Sequence, residues 1–145
     1  MLKSLRWLTG LLVVVLTLGS GQASAATESA IPGPCLDNAV VGYVTAGPTN
    51  AYLPSASGTY TTTNRCQDIN FSNRSQSGDQ AFQALIRVCF VRAGYCQSSW
   101  KYYYSDGNTD WMVIASNVKD GTTFRLEFQF FESTFGSTYG NLIAF

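Results

Sequence analysis

The 145-residue sequence contains no histidine. That absence removes Ser-His and Cys-His nucleophilic pairs, His-ligated zinc and imidazole acid-base catalysis together. Charge is scarce as well, with nine basic and nine acidic residues making up 12% of the chain. Arg65, Arg74, Arg87, Arg92 and Arg125 are scattered rather than blocked. A nucleic-acid footprint or a polybasic membrane surface needs clustered cations, so neither partner is expected. Nor does an apolar run reach the roughly 20 residues of a membrane span.

The longest apolar stretch, Leu11 to Leu18, follows Lys3 and Arg6 and is followed by Ala23-Ser24-Ala25. A short basic segment, an apolar core and small residues at an A-x-A site are the three parts of a secretory leader. The sequence therefore predicts a leader over 1–25 of bacterial type, cleavage before Ala26, and a secreted chain with no membrane insertion afterwards. Removing Lys3 and Arg6 leaves seven basic residues against nine acidic ones, a net charge of −2. What remains has the length of one ordinary domain. The Pro/Gly-broken run 26–34 reads as an extended lead, and 35–145 as the folded unit.

Cys35, Cys66, Cys89 and Cys96 all lie in the exported part. An even number of cysteines in an oxidising compartment predicts two disulfides. Of the three pairings, 89 with 96 and 35 with 66 is favoured, because VRAG between Cys89 and Tyr95 can close a hairpin with Gly94 in the left-handed region. Pairing of Cys66 with Cys89 on neighbouring strands meets the distance requirement as well.

Downstream of Cys35 the chain is a succession of short alternating segments separated by turn residues. This is the pattern of an all-β fold, a small antiparallel β-sandwich of immunoglobulin-like or jelly-roll-like type. Strands are predicted over 39–45, 58–63, 66–72, 82–92, 96–104, 111–116, 122–132 and 139–145, with no helix. In TTFRLEFQFF, Phe124, Leu126, Phe128 and Phe130 alternate with Arg125, Glu127 and Gln129, which marks one buried and one wet face. On the 82–92 strand, Ala84, Ile86, Val88 and Phe90 point inward and Leu85, Arg87 and Cys89 outward. Cys66 falls on the polar side of its strand, so it and Cys89 are expected at an outer surface or edge. Lys119-Asp120-Gly121 is the strongest hairpin signal, since Asp-Gly readily takes a type I′ turn. The run 72–80, without an apolar side chain, predicts the longest exposed loop, and it carries part of two formal glycosylation sequons, Asn70-Phe71-Ser72 and Asn73-Arg74-Ser75.

The remaining acid-base candidates are carboxylates. A glycosidase needs two at a defined separation, but Asp106, Asp110 and Asp120 flank Gly or Asn in turns and Glu127 lies on the wet face of its strand. A non-catalytic protein is expected, without a cofactor. Asp106-x-Asn108-x-Asp110 shares the alternate-oxygen spacing of a calcium loop, yet the twelfth position is Asn117 where a bidentate Glu is required, so no metal is expected.

The functional lead is aromatic. SSWKYYYSDGNTDW holds Trp100, Tyr102, Tyr103, Tyr104 and Trp111. Period two puts Trp100, Tyr102 and Tyr104 on one strand face and Lys101 with Tyr103 on the other. Tyr and Trp rings stack on sugar C–H faces and hydrogen-bond hydroxyls with their polar tips, although aromatics are also favoured in strands for packing alone. Trp100, Tyr103 and Trp111 are taken as ligand-stacking residues, with Tyr52, Tyr60 and Tyr139 as possible extensions. The first function expected is binding of carbohydrate or a cell-surface glycan. The alternatives are an extracellular protease inhibitor, which presents the 72–80 loop or Arg92 of the VRAG hairpin to a partner protein, and a structural or interaction protein of the cell envelope.

Overall fold

The computed structural model describes residues 34–55, 57–76, 81–107 and 110–145. The leader and nearly all of the extended lead lie outside the described residues. One helical turn, α1 (Pro34–Asp37), is followed by β1 (Val40–Thr45), β2 (Ala51–Leu53), β3 (Tyr60–Thr61), β4 (Ile69–Gln76), β5 (Phe82–Phe90), β6 (Tyr95–Cys96), β7 (Lys101–Ser105), β8 (Met112–Ala115) and β9 (Thr123–Phe130). A 3₁₀ turn (Glu132–Thr134) then leads to β10 (Thr138–Ala144).

The strands form two sheets, and every pairing is antiparallel. One sheet has the order β1-β10-β4-β8, and the other the order β2-β9-β5-β6, with β3 also on β9 and β7 also on β5. β2 and β3 succeed one another along β9, Leu53 opposite Leu126 and Tyr60 opposite Phe124. They make a single edge interrupted where Pro54, lacking an N–H, leaves the ladder. β6 and β7 likewise form one interrupted edge on β5, with Cys96 opposite Cys89 and Lys101 opposite Ile86. With each interrupted edge counted once, the pairs nest: β1 with β10, β2/β3 with β9, β4 with β8, and β5 with β6/β7. Every connection except that between β5 and β6 passes from one sheet to the other.

The core lies between the sheets. Phe124, Leu126, Phe128 and Phe130 of β9 and Phe82, Ala84, Ile86 and Val88 of β5 are buried, facing Ile69, Phe71, Ile114, Tyr139 and Ile143 of the other sheet. Phe82 is at its centre, with its ring 4.9 Å from that of Tyr139 and 5.7 Å from that of Phe71. Burying the four β9 side chains contributes about 6–12 kcal/mol before chain entropy is subtracted. The expected alternation on β9 and β5 is thus the alternation found.

Several expectations are corrected. Lys119-Asp120-Gly121 does turn tightly, with the Thr122 N–H on the Lys119 carbonyl at 3.3 Å and Gly121 at φ 74°. It joins β8 to β9 in the opposite sheet, however, so it is no hairpin. Its polar groups are held by Thr62, whose hydroxyl donates to the Lys119 carbonyl at 2.7 Å and whose carbonyl accepts the Gly121 N–H at 2.9 Å. The polar run from Ser72 is strand as far as Gln76, because Ser72 and Asn73 are buried in β4. Only residues 77–80 of the expected loop fall outside the described residues. Asn70 and Asn73 are buried too, so neither sequon is presented to solvent.

Both cystines are formed, Cys35 with Cys66 and Cys89 with Cys96, and two disulfides suit an oxidising environment. Cys66 and Cys89 are buried rather than at an open surface. Among the described residues no helix is long and apolar enough to cross a membrane.

Candidate functional site

The outward face of the β2-β9-β5-β7 sheet carries the polar and aromatic residues in rows set by register. Glu127 lies opposite Tyr52 on one side and Arg87 on the other. In the next row Leu85 stands between Gln129 and Tyr102, and beyond it Gln83 stands opposite Tyr104.

The first row is a closed polar network. Arg87 Nε donates to Glu127 Oε2 at 2.6 Å, and Asn50 Nδ2 and the Tyr52 hydroxyl donate to Oε1 at 2.8 and 2.9 Å. The Arg87 guanidinium is stacked 4.2 Å from the Trp100 ring centre, and that of Arg125 4.1 Å from that of Tyr52. Glu127, expected on a wet face, is therefore only 3% exposed. Burial alone would push its carboxyl up, but the Arg87 hydrogen bond outweighs it together with those from Asn50 and Tyr52 and the Arg87 charge, so the pKa lies below the usual value. The Tyr52 phenol is raised, first by its hydrogen bond to Glu127 and then by burial.

Chemically this row is a clamp on the β2 edge. Glu127 is the one buried carboxylate among the described residues, and a lowered pKa suits a permanent acceptor, not a proton donor at neutral pH. Cys89 Sγ lies 3.4 Å from Glu127 Oε2, and these atoms with Cys96 Sγ lie within 4.8 Å of one another. The two sulfurs are bonded to each other, so they offer no thiolate to a metal. Asn108 of the calcium-like run lies outside the described residues.

The other rows are open. Tyr102 and Tyr104 are 50% and 51% exposed and project side by side, about 7 Å apart by the two-residue repeat of a strand. Gln83 Nε2 donates to the Tyr102 hydroxyl at 3.0 Å, and Phe131 meets the Tyr102 ring edge-on at 5.9 Å. Half-buried Trp100 adjoins this strip, which the exposed Gln129 borders.

Of the three residues taken as stacking groups, only Trp100 belongs to this face. Tyr103 is 2% exposed, its ring packed edge-on against Phe71 at 5.1 Å and Phe82 at 5.6 Å. Its hydroxyl donates to the Asp110 carbonyl at 2.8 Å. That side chain is core because the strand alternation that exposes Tyr102 and Tyr104 turns it inward. Trp111 is half-buried on the connection from β7 to β8, directly before the first residue of β8 in the other sheet. Of the possible extensions, Tyr139 is in the core, Tyr60 packs against Phe124 and Phe145, and Tyr52 is on the outer face. The Tyr52–Glu127–Arg87 clamp was missed. Alternation already put Arg87 and Glu127 outward, but only strand pairing makes them neighbours.

Comparison with known proteins finds no matching family, curated relative or solved structure.

Proposed function

We propose that this is a non-catalytic glycan-binding module of jelly-roll type, exported by a bacterial cell behind a cleaved leader. The nested pairing of first with last strand, second with next-to-last and so on inward supports the jelly-roll reading, since that is how a long antiparallel hairpin rolls into two sheets. The observation that carries the function is the open strip of Tyr102, Tyr104 and Phe131 beside Trp100. These rings lie on a sheet whose neighbouring polar row is already tied up in its own hydrogen bonds. Flat rings fixed by a sheet, with phenol and amide groups at their margins, have the chemistry to stack on a sugar face and hydrogen-bond its hydroxyls.

The test is retention on insoluble cellulose, chitin and peptidoglycan, comparing the native chain with Tyr102→Ala/Tyr104→Ala. Retention of the first and loss in the second, at unchanged melting temperature, supports the proposal. A native chain that passes through all three matrices overturns it. Concentration-dependent self-association lost in the same variant would instead favour an envelope structural role.

A second reading rests on the Val91–Gly94 turn, where every residue is exposed and the ends are joined by Cys89–Cys96. A braced turn presenting Arg92 suits insertion into a trypsin-like protease. Uninhibited trypsin at stoichiometric excess of this protein rules that reading out.

A further inference from the structure

At one end of the sandwich, the β5–β6 turn and the β8–β9 turn enclose a cleft of about 510 Å³. It lies among the rings of Phe90 and Tyr95, whose centres are 5.3 Å apart, with Val118 also in its lining. Arg92 comes from one turn and Lys119 from the other, and no carboxylate is among the lining residues. Neither cation has an ion-pair partner among the described residues. The adjoining notch of about 260 Å³ shares Phe90 and Tyr95 and adds Arg125. Two acids stand beside the cleft without lining it: Asp68 accepts the Asn117 N–H at 3.0 Å, and Asp120 is exposed on the turn between Lys119 and Gly121.

The cleft is held open by specific contacts. Thr62 fixes the Lys119 turn through its hydroxyl and carbonyl. Asn117 holds a left-handed conformation at φ 54°, which asparagine adopts more readily than most residues and which shapes the turn lining the cleft. The Thr123 hydroxyl, in the same lining, is buried without a hydrogen-bond partner. A volume in the usual range for small-molecule sites, apolar ring walls and two unneutralised cations at the mouth select a particular ligand chemistry.

We propose that this cleft binds a small organic anion, a carboxylate carried on a flat apolar body, independently of the glycan face. Its ring lies against Phe90 and Tyr95, and its carboxylate is taken by Arg92 and Lys119. Arg supplies the planar fork that matches a carboxylate and Lys a mobile point charge.

The probes are 2-naphthoate and its neutral twin 2-naphthamide, titrated into the ¹⁵N-labelled native chain. Expected are saturable shifts at the amides of Arg92, Asn117, Lys119 and Gly121 with naphthoate, and binding at least tenfold weaker with naphthamide. Arg92→Gln/Lys119→Gln should weaken naphthoate at least tenfold at unchanged melting temperature, since both side chains are exposed. Equal affinity for the two probes, an unaffected double variant, shifts confined to Tyr102 and Tyr104, or no saturation with naphthoate each overturns the proposal.

Discussion

The phenolic oxygen of Tyr103 accepts the backbone N–H of Asn73 at 3.1 Å and so ties the edge of one sheet to an inner strand of the other. The same hydroxyl donates to the Asp110 carbonyl. Tyr103→Phe keeps the ring contacts and removes both hydrogen bonds of the hydroxyl, which costs about 1–3 kcal/mol. Tyr103→Ala also opens a cavity beside Phe71 and Phe82 and costs about 3–5 kcal/mol. Urea unfolding of the two variants checks both magnitudes, and equal losses would show that the hydroxyl accounts for the whole effect.

Glu127 gives a pH signature. Its folded pKa is lowered, so its contribution is present above the unfolded carboxyl value of about 4.3 and is lost as pH falls through the folded value. Glu127→Gln should cost about 2 kcal/mol at pH 7, the scale of a hydrogen bond to a charged group, discounted because Arg87 is partly exposed. The gap between native and variant melting temperatures should narrow as pH drops below about 4.3. A gap constant from pH 7 to pH 3 contradicts the ionised clamp.

A pair of buried asparagines spans the β10 irregularity between Gly140 and Asn141. Asn73 Nδ2 donates to Asn141 Oδ1 at 3.2 Å and to the Gly140 carbonyl at 3.1 Å, while Asn141 Nδ2 donates to the Tyr139 carbonyl at 3.0 Å. Asn141→Ala removes an acceptor and a donor at a fully buried position. The expected loss is about 2–3 kcal/mol, with hydrogen exchange accelerating at β4 and β10 before β5.

The disulfides should differ in weight. Cys35–Cys66 spans 31 residues and Cys89–Cys96 spans 7. Closing the longer loop restricts the unfolded chain by about 3–4 kcal/mol, against about 2 kcal/mol for the shorter. Paired Cys→Ala variants measured by denaturant midpoint should therefore rank Cys35/Cys66 as the costlier loss.

Strand content and the inner faces of β5 and β9 were legible because period two is a local signal that survives without knowing partners. So was the 89–96 pairing, since its loop is short. What sequence did not show follows from pairing between distant segments. Glu127 and Tyr52 look solvated one by one, and Glu127 becomes buried and Tyr52 half-buried only when β2 lies on β9. The three-residue β2 and the α1 turn are too short to carry a periodic signal. Ser72 and Asn73 read as loop because they are polar, yet their strand is inner, with the Ser72 hydroxyl on the Asn73 carbonyl and the Asn73 side-chain amide on the Gly140 carbonyl of β10. In the YYY run the alternation was read correctly, but which face meets the core depends on the sheet packed above it.

Of the four inner strands, β4 and β10 in one sheet and β5 and β9 in the other, β9 and β10 come last along the chain. Until residues 123–144 exist, β1 has no neighbour to pair with and β2 and β3 have no ladder to join. The β4–β8 and β5–β6/β7 pairs need nothing downstream, but both sheets reach full width only with this last stretch of chain. Loss of β10 would leave β1 without a neighbour and reduce its sheet to β4 and β8, whereas loss of β9 would strip β2 and β3 from the other sheet.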